Sequence, residues 1–297
     1  MSKLIIVDGY AILHRAYHAL PPLTNRRGRL VNAIYGFVSI LLKLIVDLKP
    51  THIAVAFDRE EKTFRRKKFE NYQTHRKPID KDLSDQFVMV RDLTKAFNIP
   101  AYELAGYESD DIIGTIVSKS DLDEMIIVTG DRDLFQLVNN KVFVYVPSRG
   151  LSDAKLYKEP EVLAKMGVVA SQIVDYKALV GDSADNYPGI SGIGPKTAVD
   201  LLRKFVNFEN IYKNLDKIPG ATANKLKVGK ESGRLAKKLA TIVRKVPIEI
   251  DFEKMDDWDI DSQKVLDLFA EFGFKTLTER VKKVGKTIDQ EKQMRLI

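Results

Sequence analysis

The stretch Leu4-Ile-Ile-Val7, with Asp8 directly after it, decides the fold class. Four aliphatic residues in a row that end at an acid predict a short strand buried on both faces. Two later stretches have the same form: Ile53-Ala-Val-Ala-Phe57 before Asp58, and Met125-Ile-Ile-Val128 before Thr129-Gly-Asp131. The sequence therefore predicts several strands of one kind, each followed by an acid.

Helical patterns separate these strands, most clearly at 31–48 and 82–97. Strands that alternate with helices predict an α/β fold, a central mixed, mainly parallel sheet surrounded by helices. Ligands of such sheets bind beyond the carboxyl ends of the strands. Since Asp8, Asp58 and Asp131 follow the strands, we expect them to meet at that edge.

Composition narrows the class of protein. The 297 residues include no cysteine, and the four histidines lack metal-ligand spacing, so we expect neither disulfides nor a zinc site. Asp8 interrupts the first apolar run before it is long enough for a secretory signal, and the most apolar stretch, 37–46, is short and contains Lys43. We expect a cytoplasmic protein that does not enter a membrane.

The charge balance points weakly to an acidic partner. Lysine and arginine exceed aspartate and glutamate by 48 to 41. If nine of the 41 acids gather in one metal site, 48 basic side chains face only 32 acids on the rest of the chain. A surface of that charge suits a phosphate polymer.

Nine acids form the candidate metal site: Asp8, Asp58, Glu108, Asp110, Asp111, Asp131, Asp133, Asp182 and Asp185. Taken singly, these acids have structural explanations, since they could cap helices after 108–111 and 131–133 and form a turn at 182–185. Taken together, carboxylates about 4 Å apart repel by roughly 4 kcal/mol per pair. A set of oxygen donors that needs cations predicts two or more Mg²⁺ or Mn²⁺ ions, which activate water for attack on a phosphodiester.

A basic segment at about 59–81 interleaves arginines and lysines with Phe64, Phe69 and Tyr72. The simpler interpretation is a solvated loop or helix face. The alternative is a mobile element that contacts phosphates and stacks on bases.

A glycine turn at 189–198 follows the last acids and leads into an amphipathic helical pattern. It is not a Walker A loop, because Pro195 separates Gly194 from Lys196. One interpretation is an ordinary glycine-rich helix connection. The other is a hairpin that brings backbone N–H groups, a helix N-terminus and Lys196 to a phosphate.

Together these motifs resemble the flap endonuclease or 5′-3′ exonuclease family, most closely the 5′ nuclease domain at the front of bacterial DNA polymerase I. The matching stretches are Ile6-Val-Asp-Gly9, Arg15-Ala-Tyr-His18, Ala56-Phe-Asp58, Phe64-Arg65, Gly106-Tyr-Glu-Ser-Asp-Asp111, Thr129-Gly-Asp-Arg-Asp133, Gly181-Asp-Ser-Ala-Asp-Asn186 and the turn 189–198. The resemblance implies a PIN-like core and a nuclease that cuts DNA at 5′ flaps, nicks or ends during primer removal and repair.

The resemblance also implies residue roles. Around one metal region it places Asp8, Asp58, Glu108, Asp110 and Asp111, and around the other Asp131, Asp133, Asp182 and Asp185. It assigns catalysis to Asp58 and Arg76, to which we add the neighbouring Lys68 as a candidate, and DNA contacts to Arg15, Tyr17, Arg65, Tyr72, Arg76, Gly192, Gly194, Lys196 and Thr197. It further implies a helical arch at 59–81, a K⁺ ion at the helix-hairpin-helix turn, a nucleoid-associated location and, we expect, a monomer.

One departure from the family pattern falls in the arch. The family usually has Tyr-Lys-x-x-Arg, where the lysine and arginine approach the scissile phosphate, and here the stretch is Tyr72-Gln-Thr-His-Arg76. Gln73 carries no positive charge to offset the negative charge that develops in the transition state. We expect slower cleavage unless Lys68 or Lys77 takes over.

The expected domains are an α/β nuclease core at 1–175, a helical DNA-binding region at 176–280 with its helix-hairpin-helix at 188–205, and a tail at 281–297. After Val146 the pattern is wholly helical. The ending Gln293-Met-Arg-Leu-Ile297 resembles the short peptide by which bacterial replication proteins bind the sliding clamp. An unstructured tail is the alternative.

Two other functions remain open from the sequence. A structure-specific DNA-binding protein that has lost catalysis would bind flapped DNA without cutting it, as Gln73 permits. A metal-dependent ribonuclease could use a similar acidic sheet, although the turn 189–198 favours duplex DNA.

Overall fold

The chain is described here by a computed structural model that covers residues 1–76, 78–147 and 154–295, without the side chains of 289 and 291–295. Its main sheet has the strand order β3-β2-β1-β4-β5-β6. The strands are β1 Lys3–Asp8, β2 His52–Ala56, β3 Ala101–Tyr102, β4 Glu124–Val128, β5 Val142–Pro147 and β6 Ala154–Tyr157. All neighbours are parallel except β5 and β6. The predicted mixed, mainly parallel sheet is confirmed.

Helices cover both faces of the sheet. They are α1 Gly9–Ala19, α2 Asn32–Leu48, α3 Phe64–Lys68, α4 Lys81–Ala96, α5 Ser109–Lys119, α6 Glu159–Met166, α7 Ile173–Val180, α8 Pro195–Phe205, α9 Phe208–Lys213, α10 Gly220–Val228, α11 Lys230–Ala240, α12 Gln263–Phe272 and α13 Lys275–Arg295. The helices predicted at 31–48 and 82–97 are α2 and α4. None of the described helices is long and apolar enough to cross a membrane.

The aliphatic runs are continuous because both sheet faces are buried. In β1, Leu4 and Ile6 join a core with α5, α7 and α8, while Ile5 and Val7 join a second core with α1, α2 and α4. All four side chains are at most 1% exposed. Such a strand has no solvent face to carry polar residues, so its first acid marks its end.

The region after Val146 is not wholly helical, contrary to the sequence prediction. Strand β6 pairs with β5, and a two-stranded hairpin is formed by β7 Gly181–Asp182 and β8 Tyr187–Pro188. The hairpin depends on glycine, because a Cβ on Gly181 would lie 2.3 Å from the amide nitrogen of Gly189. Helical periodicity in the flanking sequence concealed these short pairings.

The segment predicted as a tail begins inside helix α13. Val281 is fully buried, and Val284 and Ile288 pack against the core. The helix runs to Arg295, and its apolar residues up to Ile288 pack on the core that also contains α1, α2 and α4. In the proposed clamp peptide, residues 296 and 297 lie outside the described residues.

Candidate metal and nucleic-acid site

The first part of the site is the carboxyl edge of the sheet, where the predicted aspartates meet. Asp8 ends β1 and is 4% exposed, and its Oδ2 accepts a hydrogen bond of 2.7 Å from Thr129 Oγ1 just beyond β4. Burial, and then the charges of Asp58 and Asp131, raise the pKa of Asp8 to about 7. The charges therefore lie close enough to act on one another.

The N-terminus of α5 brings further acids to this edge. Ser109 N and Oγ donate to the two carboxylate oxygens of Asp58, at 2.8 and 3.2 Å. The next residue, Asp110, lies in the middle of the group. Its pKa is raised well above its ordinary range by burial and then by the charges of Asp131 and Asp8, among others. We call Asp8, Asp58, Asp110 and Asp131 the acidic edge.

A second group, the aspartate triad, consists of Asp133, Asp182 and Asp185. Each offers a carboxylate oxygen, and these oxygens all lie within 4.8 Å of one another. The amide of Asp133 donates to Asp131 Oδ1 at 2.8 Å, which connects the triad to the acidic edge. A set made only of carboxylate oxygens fits Mg²⁺ or Mn²⁺.

Lys177 supplies positive charge inside the triad, and the sequence analysis missed it. Its buried ammonium group donates to Asp133 Oδ1 and Asp182 Oδ2. Burial and the charge of Asp131 raise the pKa of Asp133 to about 7, although Lys177 opposes the shift. The available signal was a lone lysine in the otherwise apolar second half of α7, five residues before Asp182.

The arch segment packs onto the triad in this structure. Gln73 Nε2 donates to Asp185 Oδ1 at 2.9 Å, and Arg76 Nη2 lies 2.5 Å from the same oxygen. The Tyr72 hydroxyl, on a side chain 2% exposed, lies 3.0 Å from Asp185 Oδ2 and 3.1 Å from Glu108 Oε2. The segment is thus a short helix followed by turns that bind Asp185, whereas the sequence left open a solvated loop or helix face and a mobile element.

Asp111 and Arg65 form a buried ion pair that the sequence did not reveal. Arg65 Nη1 and Nη2 donate to the two Asp111 oxygens, both at 2.7 Å, with side-chain exposures of 3% and 0%. Arg65 also donates to the backbone oxygens of Leu239 and Thr241. Neither side chain is free for its predicted role, which was metal ligand for Asp111 and DNA contact for Arg65.

Glu108 occupies an intermediate position between the ion pair and the triad. Its Oε1 accepts from Thr63 Oγ1 at 2.9 Å, and its Oε2 lies 3.4 Å from Arg65 Nη1. Burial raises its pKa to about 7 despite the nearby Arg65 charge. Because Glu108 is paired with the charge of Arg65, it is a weaker candidate for a metal ligand than Asp58 or Asp110.

The predicted DNA contacts lie at several places around the site. Arg15 and Tyr17 are half-buried on α1, and Lys68 is exposed with its ammonium 5.4 Å from the centre of the Phe64 ring. At the glycine turn, Gly192, Gly194 and Lys196 are exposed and Thr197 is half-buried at the start of α8. Among the described residues no ion pair joins Lys68 to an acid, and Lys77 lies outside them.

The raised carboxyl pKa values predict an unusual pH dependence of stability. Asp8, Glu108 and Asp133 have pKa values of about 7 in the fold and about 4 when unfolded. Between these pH values the folded chain binds more protons, so its free energy of unfolding falls as pH rises. In EDTA we expect the melting temperature to drop from pH 5 to pH 8 in thermal unfolding scans, and Mg²⁺ to reduce the drop. A metal-free protein that gains stability over this range would contradict the charge clustering.

Comparison with known families gives two matches that together span most of the chain. The model for the N-terminal resolvase-like domain of 5′-3′ exonucleases matches residues 3–167, and the model for their C-terminal SAM fold matches residues 168–263. The boundary lies eight residues before the one expected at 175.

Comparison with single proteins agrees with the family matches. The chain is 41% identical to DNA polymerase I of Bacillus caldotenax over 283 residues, 94% of this chain and 32% of that protein. It therefore spans about one third of the length of such relatives. A bacteriophage T5 flap endonuclease, solved as a pseudo-enzyme-product complex with DNA and metal ions, has a TM-score of 0.67 at 21% identity over 95% of this chain and 97% of that one. Flap endonuclease-1 from Methanococcus jannaschii has a TM-score of 0.63 at 18% identity, covering 98% and 94%.

Proposed function

We propose that this chain, which belongs to the 5′-3′ exonuclease family, hydrolyses DNA phosphodiesters near 5′ ends with the help of divalent cations. The observation that carries the proposal is the convergence of acids from separate elements on one sheet edge. The pKa of Asp110, for example, is raised by burial and by the charges of four other acids, Asp131, Asp8, Asp133 and Asp58. A fold that gathers so much negative charge beside a basic surface is suited to cations and a polyanion.

The acids form two groups, each of which can bind a cation. We propose that the acidic edge holds one cation, with Glu108 at its margin, and that the aspartate triad holds another. Asp111 is left out because Arg65 occupies both of its oxygens. Mg²⁺ or Mn²⁺ bound at these groups would supply an activated water and neutralise charge on the scissile phosphate. Asp58 is positioned for this work by its two hydrogen bonds from Ser109, which fix its oxygens toward the edge.

The remaining elements bind and orient the DNA in this proposal. Arg76 and Lys68 lie on the arch segment, and Arg76 already reaches the triad. Lys196 and the exposed N-terminus of α8 face solvent at the glycine turn, where they can bind a duplex phosphate. A K⁺ ion at this turn and a monomeric state remain predictions. Binding should weaken steeply with salt because it rests on phosphate contacts.

The test is cleavage of a 5′-labelled flap substrate. With Mg²⁺ we expect release of short 5′ products from DNA, and with Ca²⁺ or EDTA binding without cleavage, as resolved on denaturing gels and by gel shift. The same flap substrate made of RNA distinguishes a deoxyribonuclease from a ribonuclease, because a ribonuclease would cleave it. Cleavage of RNA alone, or no cleavage in Mg²⁺ and Mn²⁺, would defeat the proposal.

A second candidate is a DNA-binding protein without catalysis, and one observation favours it. Asp185 is engaged by Tyr72, Gln73 and Arg76, and Lys177 bridges Asp133 and Asp182, so all three triad acids have protein partners that a cation must displace. Under this alternative, flapped DNA binds equally in Ca²⁺ and Mg²⁺ and stays intact. We prefer the enzyme because, among the described residues, no lysine or arginine forms an ion pair with an acid of the acidic edge.

Location and partners extend the proposal. A DNA substrate implies a cytoplasmic, nucleoid-associated protein. The clamp peptide at 293–297 is a separate prediction. Loss of clamp pull-down after deletion of 293–297 would support the peptide, and unchanged binding would end it.

Gln73→Lys should accelerate cleavage. The amide now donates to Asp185, and a lysine there would add positive charge beside the triad without removing the donor. A charge placed where the phosphate develops negative charge is expected to raise the single-turnover rate about tenfold. Gln73→Met, which has similar length but no charge or donor, is the matched control and should not accelerate the reaction. Equal rates for the lysine variant and the parent would remove Gln73 as the cause of slow cleavage.

A further inference from the structure

The hydroxyl of Tyr187 is a buried polar group without a partner. The side chain is 4% exposed, and its oxygen has no hydrogen-bond partner among the described residues. Most buried hydroxyls in native proteins are hydrogen-bonded to protein or to ordered water. We therefore expect this oxygen to form a hydrogen bond with a molecule other than the protein, such as an ordered water.

The position of Tyr187 places this hydroxyl at the aspartate triad. Tyr187 pairs with Asp182 across the β7–β8 hairpin, and its ring stacks on Tyr72 with centroids 6.2 Å apart. Burial, and then the charges of Asp133, Asp182 and Asp185, raise its pKa. Directly opposed residues of an antiparallel pair present their side chains on the same face, and the hydroxyl of the stacked Tyr72 lies 3.0 Å from Asp185 Oδ2, so the Tyr187 hydroxyl lies beside the aspartate triad.

The neighbouring donors are already committed. Lys177 bridges Asp133 and Asp182, while Gln73 and Arg76 bind Asp185. The Tyr72 hydroxyl is likewise taken up by Asp185 and Glu108. Unlike the hydroxyl of Tyr72, the hydroxyl of Tyr187 takes part in none of these contacts.

We propose that Tyr187 is a positioning residue for the divalent cation of the aspartate triad, whose hydroxyl oxygen accepts a hydrogen bond from a water molecule in the cation's hydration shell. Mg²⁺ and Mn²⁺ bound by a few carboxylates retain several waters, and those waters are strong donors. A phenol oxygen has lone pairs to accept them. The inference rests on the proposed function, because it requires a cation at the triad.

The test is Tyr187→Phe, which removes only the oxygen. Hydrogen-bonding groups outside the direct ligands of a metal typically contribute 10- to 100-fold to its affinity, so we expect Mn²⁺ binding about tenfold weaker by titration calorimetry and by electron paramagnetic resonance of free Mn²⁺. In EDTA the variant should melt no lower than the parent, because an unpartnered buried hydroxyl contributes no hydrogen bond. The rise in melting temperature on adding Mn²⁺ should therefore shrink.

Two further variants make the outcomes distinguishable. Tyr212→Phe is a matched control, since the Tyr212 hydroxyl donates to the Leu226 oxygen at 2.7 Å away from the triad. It should lower the metal-free melting temperature and leave Mn²⁺ affinity unchanged. Asp182→Asn should weaken Mn²⁺ binding by itself. Unchanged Mn²⁺ affinity in Tyr187→Phe alone overturns the inference, while unchanged affinity in Asp182→Asn as well overturns the proposed metal site.

Discussion

Asp58→Asn should reduce the single-turnover rate of flap cleavage by about a thousandfold, the loss expected when a metal-held transition state loses several kcal/mol of stabilisation. The amide is nearly isosteric and keeps an oxygen that can accept from Ser109, so the N-terminus of α5 stays in place. It removes the charge, however, and neutral amides bind Mg²⁺ more weakly than carboxylates do. The rate is measured by rapid quench with saturating enzyme and Mg²⁺.

Stability separates this effect from misfolding. Burial raises the pKa of Asp58, which means that its charge opposes folding when no metal is bound. Asp58→Asn should therefore keep or raise the melting temperature in EDTA while activity is lost. Asp47→Asn is the matched control, because Asp47 is an exposed acid paired with Lys43 on α2. If both variants cleave at the parental rate, Asp58 has no part in catalysis.

The sequence was sufficient for the parts of the site that strand order dictates. Asp8, Asp58 and Asp131 each follow a buried strand, and parallel neighbours necessarily place their carboxyl ends at one edge. Asp110 could be predicted for the same reason, since a helix that starts at this edge presents its first turn there. Local sequence patterns are therefore enough to predict which acids lie at the acidic edge.

The sequence was insufficient wherever a partner is remote along the chain. Asp111 has the same local signature as Asp110, yet one is held by Arg65 and the amide of Val243 while the other faces the cluster. Helical geometry alone puts neighbouring residues about 100° apart, so one faces the site and the next faces the interior. Which of the two is buried depends on the packing of residues 239–243, and this has no signal near residue 111.

The arch segment shows the same limit from the other side. Its charge and aromatic content predict a solvated or mobile element, but Arg65 and Tyr72 are buried. The contacts that bury them come from Asp111, Asp185 and the backbone near 240, all far along the chain. The charge run therefore predicted correctly that most charged residues of the segment are exposed, among them Arg66, Lys67 and Lys68, but it did not predict that Arg65 and Tyr72 are buried.

Arg65→Met should lower the free energy of unfolding by about 3–5 kcal/mol, the cost of leaving a buried charge without its partner. The variant leaves the fully buried Asp111 carboxylate without its cationic partner. It also removes the donor to the backbone oxygens of Leu239 and Thr241. Methionine fills much of the volume, so the loss reports on charge and hydrogen bonds more than on a cavity. Urea unfolding at pH 7 measures it.

Two comparisons show whether the buried pair is the cause. Arg234→Met breaks the exposed pair of Arg234 with Glu231 and should cost no more than about 0.5 kcal/mol. Arg65→Met combined with Asp111→Leu removes both charges, so it should recover part of the stability that Arg65→Met loses, as apolar replacements of buried ion pairs do. Because Arg65 ties the first turn of α5 to residues 239 and 241, the single variant should also weaken Mn²⁺ binding at the acidic edge. A loss below about 1 kcal/mol for Arg65→Met would mean that water replaces Arg65 around the Asp111 carboxylate, and Asp111 would then again be a candidate metal ligand.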